Sequence, residues 1–282
     1  MPPEARVTRF APSPTGPLHL GHAFAALTAQ ERAGAGRVLL RLEDIDQSRC
    51  RPEYEDGIIE DLRWIGFCWS GPILRQSDRL SAYRAALDRL GTLGVLYPCR
   101  CRRRDILEAL SAPQGVEPVA GPDGVVYPGT CRRRPLAERE ADDAVRLNMG
   151  AALRLAGTLG LEETGPVRAG HHRLDPEWMM AHVGDVVLAR RDMGTSYHLS
   201  VVVDDAAQGI TEVTRGVDLF DASFIHVLLQ KLLALPQPRF HHHNLICDEA
   251  GKRLAKRDDA RAIGLYRAEG MSPADVRVMI GL

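Results

Sequence analysis

The chain opens on a short apolar run, Val7 to Ala11, that reads as the end of a buried strand. Pro12, Pro14 and Pro17 follow; each fixes its own backbone and keeps its predecessor extended, so the loop is stiff. After Gly21 the stretch H-A-F-A-A-L-T-A-Q-E-R-A is alanine-rich and apolar on one side, which predicts a helix. Arg37 to Glu43 (R-V-L-L-R-L-E) predicts a second buried strand. Strand, helix and strand within about forty residues make a βαβ unit and hence a parallel sheet. Pro52 to Gly66 is an amphipathic helix with Ile58, Ile59, Leu62 and Ile65 on one face, and Ser81 to Leu93 a second, with Tyr83, Leu87 and Leu90. Trp64 and Trp69 read as packing residues. Further along, Val145 to Met149 and Gly184 to Arg191 read as strands, with Asp192 to Gly194 turning after the second. Thr195 to Asp205 and Gly209 to Gly216 are expected to continue the parallel-sheet pattern, and Phe224 to Leu235 to form a helix.

Composition narrows the class. The 282 residues are 45% hydrophobic and 26% charged, as in ordinary globular proteins, and allow one large α/β domain with an insertion or two small domains. A net charge of −1 leaves no global field for nucleic acid, so any such contact must come from local patches. With no apolar span and no signal peptide, the expectation is a cytoplasmic protein without membrane contact. Six cysteines without a secretory context argue against a disulfide framework. Cations are arginine almost throughout; the only lysines are Lys231, Lys252 and Lys256.

Candidate chemistry concentrates between Arg9 and His22, R-F-A-P-S-P-T-G-P-L-H-L-G-H. His19 and His22 are three apart at the helix start and share a face. A helix N-terminus there suits phosphate, and Gly21 permits close approach. Half of a metal site and simple helix capping are the alternatives for H-x-x-H. The whole stretch closely resembles the ATP-binding motif of class I aminoacyl-tRNA synthetases, in the version carried by glutamyl- and glutaminyl-type enzymes. L-R-L-E-D-I-D, containing Glu43, resembles the same family. At a strand's carboxyl end Glu43 could bind an ammonium group or be an ordinary surface acid. The resemblance implies a glutamate pocket of Arg9, Ala11, Ser13, Glu43, Tyr197 and Arg215. Arg215 suits a side-chain carboxylate, although an ion pair with Glu212 or Asp218 is the alternative. His241 to His243 reads as ordinary strand or loop.

Cys99, Cys101 and Cys131 are soft ligands suited to tetrahedral zinc. Tyr127, four residues before Cys131, is either a fourth ligand or a packing residue. C-x-C followed by Y-x-x-x-C matches the zinc-binding arrangement of one branch of the synthetase family, implying one structural Zn²⁺ per chain. Arg102 to Arg104 and Arg132 to Arg134 flank these ligands and form either a patch for RNA phosphates or a solvated face. G-K-R-L-A-K-R-D, Gly251 to Asp258, resembles the second class I motif, K-M-S-K-S. Arg253 takes its first lysine position, Ala255 replaces the serine, and Lys256 holds the second lysine. The implied catalytic and ATP-binding set is His19, Gly21, His22 and Lys256, with Mg²⁺ accompanying ATP.

The resemblance covers about residues 6 to 260. It implies an α/β, Rossmann-like parallel sheet: 1–98 the first half of the catalytic domain, 99–175 an inserted acceptor-like region with the zinc knot, 176–245 the second half, and 246–282 the lysine loop and C-terminal segment. Too little chain follows Lys256 for an anticodon-binding domain, since a domain needs at least ~50 residues. The zinc-bearing, truncated pattern resembles the glutamyl-Q tRNA(Asp) synthetase family, which places glutamate on queuosine at the wobble position of tRNA(Asp). The expectation is a monomer that binds ATP, L-glutamate and the queuosine-containing anticodon stem-loop of tRNA(Asp). Charging of a tRNA 3′ end and a non-catalytic RNA-binding role are the two rivals; Ala255 is the feature favouring the second.

Overall fold

The computed structural model describes residues 5–111, 119–246 and 261–282. β1 (Val7–Phe10), α1 (Leu20–Ala33) and β2 (Arg37–Leu42) form the expected start of a parallel sheet, with Val7 opposite Arg37 and Phe10 opposite Leu40. α1 lies close to the sheet because its inward face is small: Ala23, Ala26 and Ala29 are buried. After α2 (Pro52–Trp64), β3 (Leu74–Arg75) adds to β2 in parallel. Trp64 and Trp69 pack on the core of this half, as expected. Leu40, Leu42, Ile58 and Leu62 are at most 1% exposed, and burying each such side chain contributes about 1.5–3 kcal/mol.

α3 (Leu80–Thr92) leads to β4 (Leu96–Cys99), α4 (Arg103–Ser111) and a small hairpin, β5 (Ala120–Gly121) and β6 (Gly124–Val125). β7 (Ala144–Leu147) pairs antiparallel with β4. α5 (Met149–Ala156), β8 (Gly160–Glu163), β9 (Gly170–Arg173) and α6 (Pro176–Trp178) follow, and then β10 (Val187–Ala189), antiparallel to β7. The Val145 and Gly184 segments are therefore strands as expected, but in this separate antiparallel sheet.

The Thr195 to Asp205 segment is corrected. Apart from its first two residues it is helical, α7 (Tyr197–Ala207), capped by Ser196. Val201 to Val203 favour a strand by local propensity, but the two acids after them must reach different partners. Asp204 accepts from Gln76, Arg79 and Tyr83, while Asp205 accepts from Arg9 and Arg41. Both carboxylates are buried, and tertiary pairing overrides a propensity worth at most ~1 kcal/mol per residue.

β11 (Glu212–Gly216), α8 (Ser223–Leu232) and β12 (Arg239–His243) complete the second half. β11 runs parallel to β12, and β12 parallel to β8. The Thr211 N–H donates to the Val7 carbonyl at 2.9 Å, setting β11 beside β1. From that seam β2 and β3 extend one way and β12 and β8 the other. A crevice therefore opens at the carboxyl ends of β1 and β11, where ligands of such sheets bind. α9 (Ile263–Ala268) and α10 (Pro273–Ile280) close the described chain against the first half. No helix among the described residues is long and apolar enough to cross a membrane.

Candidate active site

The crevice holds a cleft of about 270 Å³ lined by Arg9, Ala11, His19, Gly21, His22, Glu43, Tyr197 and Arg215. A second cleft of about 510 Å³ shares Ala11, His22, Glu43 and Tyr197 with it and adds Ser13. The described candidates for ATP and glutamate thus converge on one crevice from elements up to two hundred residues apart. Lys256 and its loop, including Ala255, lie outside the described residues. The described residues flanking that stretch border the crevice: Ile246 lines it, and Ala262 bridges to His19.

The histidine pair is built by the helix start. His19 is the N-cap, and its Nδ1 accepts the Gly21 N–H at 3.1 Å. The Nδ1 of His22 accepts the His19 N–H at 3.2 Å. The rings lie 3.8 Å apart between centroids. Capping and ligand contact are therefore compatible: with each Nδ1 accepting, a neutral ring carries its proton on Nε2. This gives two oriented donors where the helix dipole is positive.

Glu43 sits beside the proline loop because its N–H donates to the Pro12 carbonyl at 3.0 Å. Burial pushes its carboxyl up to about 7, against the pull of Arg41 at 3.6 Å and of Arg9. Asp205 holds Arg9 at 2.9 Å and Arg41 at 2.8 Å. Burial raises the Asp205 carboxyl, but the two guanidinium groups outweigh it and keep it below its usual value. Arg9 thus combines pocket lining with a structural ion pair.

Arg215 is 6% exposed, and among the described residues none of its hydrogen-bond partners is a carboxylate. Glu212 pairs with Arg32 at 2.7 Å instead. Nε of Arg215 donates to His242 Nε2 at 3.2 Å, Nη1 to Tyr197 Oη at 3.5 Å and His226 Nδ1 at 3.3 Å, and Nη2 to Ser223 Oγ. Burial lowers the guanidinium from its ordinary value. A buried cation surrounded by neutral acceptors is suited to an anionic ligand group.

His242, His226, Ser223 and Glu163 are the site residues that sequence reading missed. His242 faces Arg215 because the two are register partners across β11 and β12. Its Nδ1 donates to Glu163, and burial lowers the imidazole despite that contact. The middle residue of a triple-histidine strand was the available signal, but its partners come from strands and helices distant in sequence.

The second cluster is the group of free cysteines expected to hold zinc. Cys99, Cys101 and Cys131 place their Sγ atoms within 4.8 Å of one another. Tyr127 Oη lies 3.4 Å from Cys99 Sγ and 3.3 Å from Cys101 Sγ, so it occupies the fourth corner. The Cys131 N–H also donates to that oxygen at 2.8 Å, and the Arg146 guanidinium covers the ring at 4.0 Å. Burial pushes the Cys101 thiol up to about 11. Cys131 goes the other way, to about 7, because hydrogen bonds led by Tyr127 outweigh its burial. Three sulfurs and one oxygen at these separations fit a tetrahedral metal ion.

The flanking arginines divide. Arg132 pairs with Asp185 at 2.6 Å, Arg134 with Asp143 at 2.9 Å and Arg104 with Glu108 at 3.3 Å. Arg102 and Arg103 instead border a cleft of about 810 Å³ with Arg190 and Arg191. A cationic face beside the knot therefore exists, built partly from arginines that sequence proximity did not suggest.

The phosphate-suited helix start, the acid and the buried guanidinium in one α/β crevice are the arrangement of an enzyme that activates a carboxylate with a nucleotide. The profile of the family described as tRNA synthetases class I (E and Q), catalytic domain, matches residues 6–282, and the chain belongs to that family. Enzymes of this class use ATP. The chain is 61% identical to the glutamyl-Q tRNA(Asp) synthetase of Rhodobacter capsulatus, over 98% of this chain and 100% of that protein. It is 42% identical to the protein of that name from Symbiobacterium thermophilum, over 95% and 83%. Among solved structures, a glutamate tRNA ligase from Elizabethkingia meningosepticum in complex with its amino acid superposes with a TM-score of 0.78 at 26% identity. The match covers 98% of this chain and 60% of that one, so the chain spans about three-fifths of the ligase. A methionyl-tRNA synthetase of Mycobacterium tuberculosis, TM-score 0.62 at 11% identity over 98% of this chain and 63% of that one, shares the fold.

Proposed function

We propose that this protein activates L-glutamate with ATP and transfers the glutamyl group to queuosine at the wobble position of tRNA(Asp). The observation that carries the amino-acid assignment is Arg215, a buried cation whose described hydrogen-bond partners are neutral, across the crevice from Glu43. Arg215 and Tyr197 receive the side-chain carboxylate, and Glu43 receives the ammonium. Arg9, Ala11 and Ser13 complete the pocket wall. The α-carboxylate attacks the α-phosphorus of ATP; the new C–O–P linkage forms as the bond to pyrophosphate breaks. No protein nucleophile is needed. The Nε2–H groups of His19 and His22, the backbone at Gly21 and the ammonium of Lys256 stabilise the charge that grows on the phosphates, with Mg²⁺ accompanying ATP. The acceptor on tRNA then displaces AMP.

The acceptor assignment is supported by the 61% identical relative, whose name states it. Cys99, Cys101, Tyr127 and Cys131 hold one structural Zn²⁺; four protein ligands leave no open position for chemistry. The protein works as a cytoplasmic monomer. Pyrophosphate exchange tests the first half: it should depend on glutamate, and glutamine should support little, because a neutral amide forfeits the charge-assisted bond to Arg215. Equal exchange with glutamine would sink the pocket assignment.

A further inference from the structure

Arg215 is connected to a residue of the small β5–β6 hairpin that does not line the crevice. Its Nη1 donates to His226 Nδ1 at 3.3 Å. His226 Nε2 lies 3.1 Å from His198 Nδ1, and His198 Nε2 lies 3.0 Å from Asp123 Oδ1. A guanidinium can only donate, and this fixes every proton in the series. His226 Nδ1 must accept, so its Nε2 carries the hydrogen and donates to His198 Nδ1. His198 Nε2 then carries its own hydrogen and donates to the Asp123 carboxylate. Both imidazoles are buried, and burial together with Arg215 lowers His226 well below the usual histidine value, consistent with a neutral ring. A second series runs the other way: Arg215 donates to His242 Nε2, and His242 Nδ1–H donates to Glu163.

We infer that Asp123 is a positioning residue for amino-acid recognition: through His198 and His226 it fixes the orientation of Arg215. The inference rests on the reading that Arg215 binds the glutamate side chain. Its physical logic is that a carboxylate placed directly on Arg215 would compete with the substrate for the same guanidinium. Two neutral imidazoles hold the group in place and leave its charge available. Asp123 sits between β5 and β6, and its side chain is 40% exposed, so the inserted region contributes to the glutamate pocket without touching it.

The test uses the full-length protein in pyrophosphate exchange. Asp123→Ala should raise the KM for glutamate about three- to tenfold while kcat and the KM for ATP stay within about twofold. Asp123→Asn, which keeps an acceptor for His198 Nε2–H, should fall nearer the wild type. Long-range ¹⁵N–¹H spectra, assigned with single His→Gln variants, should show His198 and His226 as neutral rings protonated on Nε2. An unchanged glutamate KM in Asp123→Ala, a parallel loss for ATP, or a proton on Nδ1 of either ring would overturn the inference. Arg215→Gln separates the two levels. If that variant activates glutamate normally the pocket reading itself fails, whereas a large loss there with no effect at Asp123 rejects the relay alone.

Discussion

In the proposed pocket Arg215 takes the side-chain carboxylate of glutamate and Glu43 its ammonium, and their environments make different predictions. Truncating a buried charge partner costs ~2–5 kcal/mol. Arg215→Gln should therefore lower kcat/KM for glutamate at least about 30-fold, roughly 2 kcal/mol. A thermal midpoint near that of the wild type would show that the loss lies in recognition. Glu43 titrates within the working range, because burial raises its carboxyl to about 7. Below that value it is protonated and cannot pair with an ammonium; above it the pairing is present. The KM for glutamate should thus rise as pH falls from 8 to 6, at saturating ATP, and Glu43→Gln should flatten the profile. A wild-type profile already flat over that interval would contradict this role.

Elements differ in how far the sequence discloses them. β1, α1 and β2 are legible because a buried strand, a proline loop and an alanine-rich helix follow one another locally. The knot is legible for a similar reason: its ligands fall in two short segments, Cys99 to Cys101 and Tyr127 to Cys131, which meet directly through the Tyr127 hydroxyl and the Cys101 and Cys131 sulfurs. α7 is misread because what decides it is distant: Gln76, Arg79 and Tyr83 on one side, Arg9 and Arg41 on the other. The support around Arg215 is invisible for the same reason, since Glu163, His198, His226 and His242 meet only when β8, α7, α8 and β12 are assembled. At the level of the knot, purified protein should carry about one zinc per chain. Cys101→Ser should release it and lower the thermal midpoint, with glutamate-dependent exchange less affected than RNA binding. Protein that is metal-free yet fully folded and active on tRNA would refute the structural-zinc assignment.

The whole molecule carries two clefts of interest: the crevice at the β1–β11 seam, proposed for ATP and the amino acid, and the arginine-bordered cleft beside the knot, lined by Arg102, Arg103, Arg190 and Arg191. A net charge of −1 supplies no global field for RNA, and on the proposed reading tRNA docks on this local patch, so tRNA binding should weaken steeply with salt while glutamate activation does not. The central claim concerns which atom of the tRNA receives the amino acid. A tRNA lacking its 3′-terminal adenosine cannot be charged at that end; periodate cannot stand in for this truncation, because the cyclopentene ring of queuosine carries a vicinal diol of its own. The deciding measurement is incorporation of labelled glutamate into queuosine-containing tRNA(Asp) without the terminal adenosine, followed by mass spectrometry of the released nucleosides. The account predicts that the truncated tRNA accepts label, that the label is found on queuosine, and that guanosine at the same position accepts none. Loss of all incorporation on truncation, with charging of the intact tRNA preserved, would contradict it and assign the protein to 3′-end aminoacylation.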